Sequence, residues 1–156
     1  MHRYSFEHFC IPKTMRLYLD TSIWLDHFEN REKNGKHATR LLEMVIKKKV
    51  VVCYSDIVIR ELRCNGYTVR DILILWKSLK PEHLRRVHIH KEEIQQAKNL
   101  ALQQNVPLGD AFHAILARNN DAILISRDKD FEKLKDIIHT KRPEDYLSIP
   151  NSFNIS

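Results

Sequence analysis

A chain of 156 residues, 43% hydrophobic and 29% charged, suits one domain around one core and excludes a disordered or low-complexity protein. Its apolar runs fall far short of the ~20 residues that cross a bilayer, and "MHRYSFEHFCIPKTM" lacks the continuous apolar segment of a signal peptide, so a cytoplasmic protein with no membrane association is expected. The net charge of +6 favours a polyanionic partner, and three cysteines without a C-x-x-C pair exclude a disulfide framework and a cysteine zinc site.

In chain order, residues 1–14 read as an N-terminal extension, because Met15 stands just before the first strand, at about 16–20. A short helix follows, then a polar stretch, "ENREKNGKH" (29–37), that reads as an exposed loop, then a longer helix at roughly 37–48. "VVCYS" (51–55) is a β-branched run and reads as a strand. Helices are expected at about 57–64, capped by Ser55 or Asp56, and at 68–80. "RRVHIH" (85–90) reads as a strand, followed by helices at about 91–104 and 109–119, with Pro107 opening the second. "AILIS" (122–126) is a short buried strand, "FEKL" begins a short helix, and "DIIHT" (136–140) is a last, weaker strand. "RPEDYL" (142–147) closes a domain expected over 15–150, and 151–156 form a tail. Apolar strands alternating with helices imply a parallel sheet covered on both faces. Ligands of such sheets bind beyond the carboxyl ends of the strands.

Acids gather at those ends. Asp20 ends the first strand in "LYLDTSIWLDHF". It could cap the next helix, as could Thr21 or Ser22. Glu61, in "SDIVIRELR", lies on the helix after the second strand, and alone reads as a solvated acid. Asp110, in "PLGDAFHAILA", opens a small, apolar helix where an acid without a partner is unexpected. Asp128 and Asp130, in "ISRDKDF", follow the fourth strand, and two acids are more than one cap needs. Each has an ordinary reading by itself. Converging on one sheet edge, they would repel unless protonated or neutralised by a cation. An all-oxygen cluster suits Mg²⁺ or Mn²⁺, which can bind phosphate oxygens and activate a water. In a net-basic chain a nucleic-acid phosphodiester is the natural substrate.

The four acidic motifs, "YLDTSIWL", "SDIVIREL", "PLGDAFHAILA" and "LISRDKDFEKL", resemble in order those of the PIN-domain ribonucleases, many of them VapC-type toxins. The resemblance runs from Met15 to about Leu147. It implies an α/β fold, a three-layer α/β/α sandwich around a mostly parallel five-stranded sheet, and Mg²⁺- or Mn²⁺-dependent endoribonuclease activity on RNA. It further implies Asp20 and Asp110 as metal ligands, completed by Glu61 and Asp128, with Asp130 as alternative fourth acid. A homodimer and an antitoxin protein are the implied partners. Thr21 or Ser22 could hydrogen-bond a ligand carboxylate or the scissile phosphate, and Arg127 and Lys129 could hold RNA phosphates.

Competing readings are a PIN domain that binds RNA or protein without cutting, and a phosphotransferase of another doubly wound fold. The complete acid set weighs against the first. Against the second, a D-x-D would need an acid where Ser22 stands, and Lys129 supplies the lysine of a receiver-like domain only ambiguously. Elsewhere, His88 and His90 read as a partly exposed strand face, and His113 as a packing or hydrogen-bonding residue near Asp110. "KKK" (47–49) complements a helix dipole. Trp76 and "ILILW" (72–76) read either as core or as a partner surface. Asp26 reads as helix surface.

Overall fold

The computed structural model describes residues 14–149. Residues 1–13 of the expected extension and the expected tail, 151–156, lie outside the described residues. Five strands, β1 (Arg16–Leu19), β2 (Val51–Tyr54), β3 (Leu84–Arg86), β4 (Ile123–Ile125) and β5 (Thr140–Lys141), form one sheet in the order β3-β2-β1-β4-β5. All four pairings are parallel, with Tyr18 opposite Cys53 on one side and Leu124 on the other. Among the described residues seven α-helices surround it: α1 (Thr21–Phe28), α2 (Glu32–Lys48), α3 (Asp56–Cys64), α4 (Val69–Trp76), α5 (Lys91–Gln104), α6 (Leu108–Asn119) and α7 (Pro143–Leu147).

Successive side chains of a strand point to opposite faces, yet Leu17, Tyr18 and Leu19 are all fully buried. Both faces of the central strand are therefore covered, giving the three-layer α/β/α arrangement. Helix α1 packs on α2, which also holds α7, and α5 packs on α6. Trp76 belongs to the core: its ring lies 5.1 Å from that of Trp24 and 4.6 Å from that of Tyr54. The next residues of the same run behave differently, since Leu73 and Ile74 are exposed. The core reading therefore holds for Trp76 and Ile72, and the outer part of the run faces away from the core. No helix among the described residues is long and apolar enough to cross a membrane.

The sheet order reverses at β1, with β2 and β3 to one side and β4 and β5 to the other. The crevice between the carboxyl ends of β1 and β4 is thus the expected ligand site. The backbone closes it tightly: Asp20 N–H donates to Ile125 O at 3.0 Å, carrying the β1–β4 ladder one residue beyond the strand.

Four elements differ from the sequence expectations. Helix α2 begins at Glu32, inside the stretch read as a loop. Its buried stripe starts at Gly35 and Ala38, and Gly35 leaves no hydrophobic signature. Gly35 is there because a Cβ would come within 2.7 Å of the Asn30 carbonyl carbon. Strand β3 is confined to residues 84–86; only Val87 N–H continues, donating to Tyr54 O. Beyond it the chain turns so that His90 N–H donates to Glu93 at the start of α5, and His88 and His90 form no strand face. Strand β5 lies at 140–141 rather than 136–140, because the Ile137 and Ile138 N–H groups both donate to Leu134 O in a turn. Helix α4 ends at Trp76, before Pro81; its start is secured by reciprocal bonds between Thr68 and Asp71.

Candidate metal centre

Asp20 occupies the N-cap position of α1, but its side chain makes no capping hydrogen bond. Instead Oδ2 accepts from Ser126 Oγ at 2.8 Å and from Ser22 Oγ at 3.1 Å. Ser22 therefore orients the carboxylate, as one of its two expected roles allowed, and the expectation that Thr21 or Ser22 caps the helix through its side chain is not met. Thr21 is buried, and its hydroxyl has no partner among the described residues. Ser126, at the end of β4, is a residue that sequence reading missed. It is buried, and its Oγ also accepts from Asp128 N–H at 3.0 Å, so one hydroxyl ties the first acid to the last. A serine directly after a buried strand, two residues before an acid, was the available signal.

Glu61 sits in the second turn of α3 with its side chain 37% exposed. Its Oε1 accepts from His113 Nε2–H at 2.8 Å, and the same nitrogen is 3.6 Å from Asp20 Oδ1. His113 is completely buried, which suits its reading as a packing and hydrogen-bonding residue and removes it from substrate contact. Burial opposes its protonation, but Glu61, Asp20 and Asp110 outweigh this and raise its pKa.

Asp110 lies in the first turn of α6. Its Oδ2 is buried and accepts no hydrogen bond among the described residues. Burial, then the charges of Asp128 and Asp20, push its carboxyl up to about 7. Asp128 caps the 3₁₀ turn at 129–134, with Oδ1 accepting from Asp130 N–H at 2.9 Å.

The acids fall into two adjoining groups. Asp20 and Glu61 with His113 form one, Asp110 with Asp128 and Asp130 the other, and each offers ligand atoms within 4.8 Å of one another. Asp128 and Asp130 thus both fall beside Asp110. Beside them, a cleft of about 560 Å³ is lined by Ser126, Asp128, Lys129, Lys135, His139 and Arg142, among others.

Arg127 also lines this cleft and is tied to two acids. Its Nη1–H donates to Glu144 at 2.7 Å, and its Nε lies 3.5 Å from Asp26. Asp26 in turn is buried, only 5% exposed, and pairs also with Arg31 at 3.7 Å. The expectation that Asp26 is helix surface is therefore wrong. Its partner Arg127 is one that α1 reaches only in the fold. Lys129 remains exposed next to Asp128.

A model of the PIN domain family matches residues 17–137. Among solved structures, VapBC2 from Rickettsia felis bound to a promoter DNA fragment superposes with a TM-score of 0.61 at 16% identity, covering 81% of this chain and 98% of that one. A toxin–antitoxin complex from Klebsiella pneumoniae gives 0.59 at 20% identity, over 81% and 97%. VapC20 from Mycobacterium tuberculosis, a toxin that cleaves the sarcin-ricin loop, gives 0.60 at 21% identity, over 76% and 94%. A search of curated protein sequences found no match.

Proposed function

The chain belongs to the PIN domain family, and from that premise we propose that it is a divalent-metal-dependent ribonuclease that hydrolyses RNA phosphodiester bonds at Asp20, Glu61, Asp110 and Asp128. One observation carries the reading. The Asp110 carboxylate has a buried oxygen without a hydrogen-bond partner, among acids that repel it. A carboxylate so placed is costly unless a cation neutralises it. The neighbouring donors are carboxylate oxygens, which suit Mg²⁺ or Mn²⁺.

Asp20 and Asp110 would hold the ion, with Glu61 and Asp128 completing its surroundings and Asp130 adjoining Asp128. When bound, a divalent ion supplies positive charge for phosphate oxygens and lowers the pKa of water. The chain's own groups supply the geometry. Ser22 and Ser126 hold Asp20 in one orientation, and Ser126 fixes the backbone of Asp128 against it. Lys129, Lys135 and Arg142 line the adjacent cleft and supply charge along which a phosphate backbone can lie. The net charge of +6 works in the same direction. Arg127 lines the same cleft and would add its charge there; Nη1 pairs with Glu144, while Nη2 has no hydrogen-bond partner among the described residues.

The reading includes an antitoxin partner and a homodimer. The superposing VapBC2 and Klebsiella structures are toxin–antitoxin assemblies, and Val69, Leu73 and Ile74 on α4 expose apolar surface that such a partner would cover.

Asp20→Asn tests the site, since it keeps side-chain volume and removes the charge. In Mg²⁺ or Mn²⁺ it should lower the rate of RNA cleavage by about 100-fold or more while leaving the circular dichroism spectrum unchanged. A folded Asp20→Asn protein that cleaves at the wild-type rate contradicts the assignment.

A further inference from the structure

Behind Glu61 lies a chain of hydrogen bonds that the acid cluster by itself does not require. His113 Nδ1 is 2.8 Å from the Tyr18 hydroxyl, which is 2.7 Å from Ser55 Oγ. All three residues are fully buried. They come from α6, from β1 and from the N-cap of α3 at the carboxyl end of the neighbouring strand β2.

The direction of the chain follows from what each group can do. A carboxylate only accepts, so Nε2 of His113 must carry the proton that bonds Glu61. In the neutral ring Nδ1 is then an acceptor, Tyr18 donates to it, and Ser55 donates to Tyr18. In the charged ring Nδ1–H donates to Tyr18, and Tyr18 donates to Ser55. Nε2–H faces Glu61 in both cases. The Tyr18 hydroxyl keeps the imidazole from rotating away, because turning the ring would break a buried and a part-buried hydrogen bond at once.

Glu61 needs such a hold. It is a long, partly exposed side chain on a helix of only nine residues. On its other side Gly109 leaves the room it occupies: a Cβ there would stand 3.1 Å from Glu61 Oε1.

We propose that His113 is a positioning residue for the metal centre, which through Nε2–H and with the Tyr18 and Ser55 hydroxyls behind it holds Glu61 within bridging distance of Asp20. The proposal rests on the metal-site reading above. Partners of ligating carboxylates typically contribute 10–100-fold in metal affinity, and the loss of His113 should be read on that scale.

Mn²⁺ binding to the metal-free protein, followed by the disappearance of the free-ion electron paramagnetic resonance signal, tests it without any RNA. His113→Leu should bind Mn²⁺ about 10–100-fold more weakly than wild type. His113→Gln, whose amide can still donate to Glu61, should recover at least half of that loss on a logarithmic scale. Tyr18→Phe keeps the ring and removes only the hydroxyl; it should weaken binding at least threefold, and it decides the matter if His113→Leu does not fold. Affinities in His113→Leu or Tyr18→Phe equal to wild type overturn the positioning role and leave the metal site standing. A ¹⁴N coupling to Mn²⁺ in the wild-type protein, by pulsed resonance, also overturns it, because His113 would then be a ligand. Absence of Mn²⁺ binding by folded wild-type protein overturns the metal-site reading and this proposal together.

Discussion

At the scale of single residues, Asp110 sets how the metal-free protein responds to pH. Burial and the charges of Asp128 and Asp20 raise its pKa from 3.8 to about 7. Between those values the folded chain binds a proton that the unfolded chain has released, so stability falls as pH rises through this window and levels off above it. His113, also raised, adds a loss of the same sign as pH increases through its folded pKa. In EDTA, thermal unfolding should therefore show a wild-type protein that loses stability from pH 5 to pH 8. Asp110→Asn should lose less, the difference between the two isolating the carboxyl. Mg²⁺ should close the gap at pH 8, because ligands must be deprotonated to bind metal and the ion replaces the proton. A wild-type protein and Asp110→Asn with the same pH dependence would show that Asp110 carries no such penalty.

At the scale of elements, the acidic edge depends on how α1, α7 and the β4 end are fastened together. Asp26 of α1, Arg127 after β4 and Glu144 of α7 form one partly buried ion network. It anchors the segment that carries Asp128 to two helices. Removing Arg127 leaves Asp26 buried with only the half-exposed Arg31 nearby, and breaking such a pair typically costs about 3–5 kcal/mol. Arg127→Ala should thus lower the melting temperature markedly, while Lys129→Ala, at an exposed position, should leave it within about 0.5 kcal/mol of wild type. The same comparison by chemical denaturation separates the structural arginine from its neighbour: equal stability of the two variants would remove the network from the account. Trp76 offers a parallel case in the core. Its contacts with Trp24 and Tyr54 put Trp76→Ala at about 3–5 kcal/mol of destabilisation.

At the scale of the whole molecule, a doubly wound sheet brings together acids that lie far apart in the chain, and this much was legible in the sequence. Short apolar runs followed by Asp20 and Asp128, and an acid opening the apolar helix α6, announced both the sheet and the edge where the acids gather. What escaped were features without a periodic signature. Gly35 hid the first turn of α2 among polar residues, and edge strands β3 and β5 make too few ladder bonds for a run of residues to define them. The pairing of Asp26 with Arg127, and of Asp20 with Ser126, joins positions that no local pattern relates. The most direct measurement of the central claim is cleavage of a labelled RNA by metal-stripped wild-type protein, before and after Mg²⁺ or Mn²⁺ is returned. Cleavage absent in EDTA and restored by either ion is the predicted result. Cleavage undiminished in EDTA, or none of any RNA with either ion present, would contradict it.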